Sequence, residues 1–219
     1  MKLAVVVATG LFVLAGAALA ASTGSPKKVI IPAVQAKAKA INVKLSDLPA
    51  AGWTAKPADN SKSNTPKCSY YNPNQSDLTE NGDANSPQFT LPSASYVSSS
   101  TSIFKSAAQG RTGYARVIQP KLPLCLAELF KKGAGPKANV KILSAAERKF
   151  TNVAERTNAY RIVADFIVSK TKVHTVADFV VFNRGKVDTV IFFVGIGGSF
   201  NDAFEHSVAA KVAARAAKA

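Results

Sequence analysis

Acidic residues are scarce in this 219-residue chain: 13 Asp and Glu stand against 28 Lys and Arg, a net charge of +15. Cysteine and histidine are scarcer still, at two each. Two histidines exclude a multi-histidine metal centre. Two thiols are too few for an all-cysteine zinc site or a disulfide-dense miniprotein. Charged residues make up only 19% and apolar residues 47%, which excludes a disordered polyelectrolyte and a coiled coil. The length suits one domain with a full core, with or without an extended arm.

The chain opens with an uncharged run. Met1-Lys2 is a short basic start, and Leu3 to Ala20 is almost entirely Ala, Val, Leu, Gly and Phe. The run ends in Ala18-Leu19-Ala20, the small-x-small pattern that signal peptidase reads. Residues 1–20 therefore read as a signal peptide. Its loss would leave 27 basic and 13 acidic residues, a net charge of +14. A run of this length can also span a bilayer as a retained anchor, although the Ala-rich end favours cleavage. On either reading, residues 21 onward are expected to be secreted or held at the cell envelope. No later segment is long and apolar enough to form a transmembrane helix.

Export decides how the cysteines read. In an oxidising compartment Cys68 and Cys125 form one disulfide by default. Two free thiols or an intermolecular bridge are the alternatives. The bond would close a loop worth about 4 kcal/mol in the chain-entropy model.

The mature chain falls into zones. Residues 21–40, with Lys27, Lys28, Lys37 and Lys39, read as a basic, Ala-rich arm or tether. Residues 41–216 read as a single domain, and 57–92 within it as a Ser/Asn/Pro-rich excursion that Cys68 pins to the core. Ala94 to Thr101 reads as a strand. Phe104, Ala108, Ala115, Ile118, Leu122, Cys125 and Leu129 share a helical face, kinked or broken at Pro120 and Pro123. Residues 158–168, 173–182 and 187–194 alternate β-branched and aromatic residues across short turns, so they predict an antiparallel meander. The C-terminal helix begins near Asn201, with Asp202 and Glu205 as a capping box and Phe204, Val208 and Val212 on its apolar side. The fold class is α+β: a mainly antiparallel sheet packed with a long mid-chain helix and a C-terminal helix.

The residues offer few chemistries. Gly195-Ile196-Gly197-Gly198 follows a strand and precedes a helix, as phosphate loops do, but its spacing misses the dinucleotide fingerprint and no βαβ unit follows. His174 shares a strand face with Asp178, and Asp165 is expected opposite. These three form a candidate polar pocket, able to shuttle protons in an envelope hydrolase or to stand as a solvated patch. No Ser lies in a G-x-S-x-G setting. Asn74-Gln75-Ser76 is a glycosylation sequon, relevant only in a eukaryotic secretory path. Catalytic, cofactor and metal residues are therefore assigned to none.

Charge is the functional hint. Ten basic residues lie between Lys105 and Lys149, against Glu128 and Glu147. Lys131, Lys132, Lys137 and Lys141 are the candidate anion-binding set, for phospholipid headgroups, cell-wall polymers or another polyanion. The interleaved aromatics that stack bases are missing, which argues against dedicated nucleic-acid binding.

Short phrases along residues 41–216 carry a resemblance. They are Leu45-Ser46-Asp47-Leu48-Pro49 with Gly52-Trp53, then Cys68, the Phe104–Leu129 stretch containing Cys125, Ala159-Tyr160-Arg161, Phe179 to Gly185, and Phe200 to Ala214. Their order resembles the extracellular sensor domain of PknH-type serine/threonine kinases and the related LpqN-type secreted proteins. The resemblance implies a PsbP-like α/β sandwich and a non-catalytic role, binding a small ligand or an envelope protein. It carries over no site residue, and the second disulfide of the kinase sensors is missing here. The expectation is thus an exported, non-enzymatic binding domain. An envelope hydrolase at His174 and Asp178, or a structural accessory protein, is the alternative.

Overall fold

The computed structural model describes residues 24–49, 52–58, 68–133, 139–168 and 171–219. The uncharged leader and Lys137 lie outside the described residues. The described residues are α+β, with four α-helices and a mixed, mostly antiparallel sheet.

The sheet is built outward from the meander. β7 (Arg156–Val168), β8 (Thr171–Arg184) and β9 (Val187–Ile196) pair antiparallel in sequence order. Two-residue connections and alternating β-branched side chains fix this register. Gly185 provides the positive φ of +57° that the β8–β9 turn requires. β6 (Asn139–Arg148) adds to the outer side of β7, with a bulge between Ile142 and Ser144. On the other side β9 pairs with β5 (Tyr96–Phe104). The outer edge of β5 is shared by β3 (Thr79–Asn85) and β4 (Gln88–Thr90), and β4 pairs with β2 (Thr54–Lys56). β1 (Lys27–Lys28) closes the far edge, parallel to β3.

Helices cover both faces, so the central strands are buried on both sides. α2 (Ala107–Val117) and α3 (Leu122–Gly133) pack on Tyr160, Ile162, Ala164, Phe179 and Phe192 through Tyr114, Leu122 and Leu126. α1 (Pro32–Ile41) and α4 (Asp202–Ala216) cover Val180, Phe182, Ile191 and Phe193 through Ala38, Ile41, Val208 and Val212. Trp53, Phe200 and Phe204 stack beside this second core, with ring centroids 5.1–6.1 Å apart. Ser99 and Thr101 of β5 are buried there too. Asn42 receives both hydroxyls at 2.9 and 2.8 Å and donates to the Ala84 carbonyl, so a Ser/Thr-rich strand enters the core with these groups paired.

Four expectations are corrected. Residues 27–40 are not a loose arm: β1 joins the sheet, and α1 buries Ala38 against it while its lysines face out, so the domain reaches back to Gly24. The 57–92 stretch is not an excursion along its whole length, because β3 and β4 lie within it and join the sheet. Their polar residues gain order from pairing with β5. The mid-chain helix breaks at 118–121, as expected at Pro120, but Phe104 ends β5 and does not belong to the helical face. Gly110 is placed by close approach: a Cβ there would lie 2.7 Å from the Gly185 carbonyl oxygen. The cap of α4 is Asn201, which accepts from the Phe204 amide at 2.7 Å, so Glu205 is released from capping.

Arg215 ties the two ends of the chain together. It donates to the Ile41 and Asn42 carbonyls and to both oxygens of Asp47. Burial opposes ionisation of Asp47, but these bonds, the Lys44 amide and the Lys211 charge outweigh it and hold the carboxyl below its ordinary value of 3.8. This stability is present above pH 4 or so and is lost as pH falls through the depressed pKa.

Cys68 and Cys125 are disulfide-bonded, with Cα atoms 5.7 Å apart. Cys125 sits on the buried side of α3, and the bond anchors the chain entering Tyr71 and Leu78. The double variant C68A/C125A is expected to lose about 4 kcal/mol of stability. Hydrogen exchange should rise first over residues 68–78 and the second half of α3, while β7–β9 stay protected. Uniform exchange across the meander would contradict this.

Candidate functional site

Alternation along β7 splits its side chains between the two faces. Tyr160, Ile162, Ala164 and Phe166 join the core under α2 and α3, so Arg161, Val163, Asp165 and Ile167 face the side of α1 and α4. α4 lies over β8 and β9, and it reaches β6 and β7 through Arg148 and Arg161. The sheet surface beyond its first turn carries exposed residues, among them Lys141, Ile167 and Lys172. A polar strip therefore runs along one face of β6–β8, closed at one end and open at the other.

The open end holds Asp165, His174, Lys172 and Lys141. The register places Asp165 opposite both His174 and Lys141. His174 Nδ1 lies 2.9 Å from Asp165 Oδ1, and Lys172 Nζ lies 2.8 Å from Oδ2. The hydrogen bonds from Lys172 and then His174 hold the Asp165 carboxyl below its ordinary value. One buried carboxylate thus collects two partly exposed donors, with Lys141 across the β6–β7 ladder. Among the described residues, no hydroxyl or thiol is hydrogen-bonded to the His174 ring. Gly197 closes the border of this end: its amide donates to the His174 carbonyl at 2.8 Å. That bond takes the Gly197 amide out of any phosphate cradle in the glycine-rich turn.

Asp178 belongs to the closed end. Four residues from His174 along β8, it stands about 13 Å away. Arg161 makes a fork to it at 2.7 and 2.9 Å, and Arg148 Nε lies 3.1 Å from the same carboxylate. Arg148 also pairs with Asp202, at 2.9 Å, and with Glu205. Its guanidinium sits 5.2 Å from the Phe150 ring centroid. The structure thus joins Asp165 to His174 but not Asp178 to either. Arg161 was readable as the cross-strand partner of Asp178. Arg148 gave no signal in the sequence and Glu205 signalled only a helix cap, because a bulge and the Asn201 cap decide where they land.

Two arginines cannot neutralise three carboxylates. Glu205 is the most buried of them, and one of its oxygens has no hydrogen-bond partner. Burial, with Asp178 beside it, pushes the Glu205 carboxyl well above its ordinary value of 4.5, against the pull of Arg148. The closed end is a structural clasp between α4 and the sheet.

The anion-binding lysines do not form one face. Lys131 and Lys132 lie in the last turn of α3, with Lys132 paired to Glu128. Lys141 alternates with Val140 and Ile142, which turn toward α3, and so stands on the opposite face with Asp165. Among the described residues, no group of three or more His, Cys, Asp or Glu could hold a metal ion, and no helix is long and apolar enough to cross a membrane. Comparison with protein-family models finds no match, and no curated protein matches the chain.

A raised carboxyl pKa means that the native state binds more protons than the unfolded state from pH 4.5 upward. Stability contributed by Glu205 should therefore fall as pH rises through that window. Glu205→Gln removes the titration and keeps an acceptor for Arg148. The midpoint of E205Q relative to wild type should rise between pH 5 and pH 8 in thermal melts. A difference that is flat with pH would contradict the assignment.

Proposed function

We propose that the chain is an extracytoplasmic, non-enzymatic binding domain that takes an anionic partner on the open end of the β6–β8 strip. The observation that carries this reading is the set Lys141, Lys172 and His174 around the single carboxylate of Asp165. Asp165 orients Lys172 and His174 without neutralising the whole set, and Lys141 adds charge from the neighbouring strand. Both cores are filled by large side chains, including Phe182 and Phe193, which favours a surface partner over an enclosed ligand. Export is supported by the disulfide, by the uncharged run at residues 3–20 and by the charge of the mature chain. A PsbP-like sandwich, as in the PknH-type and LpqN-type domains, is supported by the helix-covered antiparallel sheet. A hydrolase at His174 is disfavoured, because Lys172 occupies the second oxygen of Asp165 and Asp178 is committed to Arg148 and Arg161.

Titration of residues 21–219 with soluble polyphosphate, followed by calorimetry, tests the reading. Affinity should fall steeply with added salt as screening shortens to about 3 Å near 1 M. K141Q/K172Q should weaken binding about thirtyfold, on the basis of roughly 1 kcal/mol per cation. Equal affinity in this variant, or affinity that ignores salt, would remove the strip as the binding face.

A further inference from the structure

At the other edge of the sheet the described residues present exposed apolar surface. Val29, Ile30 and Ile31 continue from β1 in an extended run and are 44%, 45% and 41% exposed. The amides of Lys27, Val29 and Ile31 donate to Leu78, Glu80 and Asn81, so this run is hydrogen-bonded to the sheet on one side and forms its edge on the other. Pro32 and Ala33 follow, also exposed, and Ala36, Lys37 and Ala40 extend the same outer face along α1. α1 contains no acidic residue. Lys27, Lys37 and Lys39 are exposed around the patch. Lys28 is held by Asp83 at 2.7 Å and lies 3.8 Å from Glu80.

An apolar strip of this kind on a domain edge marks a contact surface. Its cationic rim selects a negatively charged, greasy partner. Position in the chain selects among such partners: the uncharged run Leu3–Ala20 ends seven residues before Lys27, about 25 Å when fully extended, so a bilayer that holds the run, either before its cleavage or as a retained anchor, is within reach of the patch. We infer that Val29–Ala33 and the outer face of α1 dock on the surface of an anionic lipid bilayer. The aliphatic side chains enter the interface, and Lys27, Lys37 and Lys39 meet the headgroups. The seven-strand path from β1 to β6 spans about 29 Å. The β6–β8 strip therefore lies at the opposite edge of the sheet from the docking surface. This inference uses a different surface from the polyanion reading and stands or falls apart from it.

Co-sedimentation of residues 21–219 with vesicles of phosphatidylglycerol in phosphatidylcholine tests the inference. V29S/I30S should lower partitioning about tenfold while leaving the thermal midpoint and polyphosphate binding unchanged. K141Q/K172Q should partition like wild type. Ile30→Trp, which enlarges the contact without touching the core, should partition more strongly, and its emission should be quenched by brominated lipid. Partitioning unchanged in V29S/I30S, or Ile30→Trp emission insensitive to brominated lipid, would overturn the inference. So would a dimer in solution that V29S/I30S dissociates, because it would assign the edge to a second copy of the chain.

Discussion

Burial of β5, β8 and β9 on both faces is the constraint from which the rest of the architecture follows. A strand covered on both sides has no solvent face for its polar residues, so each must find a partner or move to the margin. Asn42 takes the hydroxyls of Ser99 and Thr101. Asp178 takes Arg161 and Arg148, and Arg148 in turn fastens α4 to the sheet through Asp202 and Glu205. Asp165, Lys172 and His174, which pair with one another, and Lys141 collect where helix cover ends, on β6, β7 and the first residues of β8. The open strip is thus a consequence of where α4 stops.

Much of the fold was legible because the strongest patterns lie where burial is greatest. The meander and α4 could be read from alternation and from Val208 and Val212, since both faces of the strands and one side of the helix are selected by the core. The cross-strand pair of Asp165 and His174 followed from the same register. β6 was not legible: Asn139–Arg148 contains Ala145, Ala146 and Glu147, poor strand formers, and takes its conformation from β7. β3 was hidden for the same reason, because Gly82, Asp83 and Asn85 signal turns until β5 pairs with them. α1 looked like an arm because its lysines are visible in sequence and the burial of Ala38 is not. In the candidate site, Asp178 was grouped with His174 by shared face alone. Face is a matter of period two, whereas the partners of Asp178 depend on the bulge in β6 and the start of α4.

The two edges of the sheet differ in chemistry. β1 and α1 present aliphatic residues with a lysine rim, whereas β6 and β8 present lysine and histidine around a carboxylate. Arg215 holds the first edge in place by joining Asp47 and the end of α1 to α4. α4 in turn borders the strip through Arg148. One helix therefore links both surfaces, through Arg215 at one end and the pairs of Asp202 and Glu205 with Arg148 at the other.

The central claim is that the surface left open by α4 is where an anionic partner binds. Amide shift mapping of residues 21–219 during addition of polyphosphate tests it most directly. The account predicts perturbations centred on Lys141, Asp165, Lys172, His174 and Gly197. Perturbations centred on Lys131 and Lys132 of α3, with the strip unmoved, would contradict it.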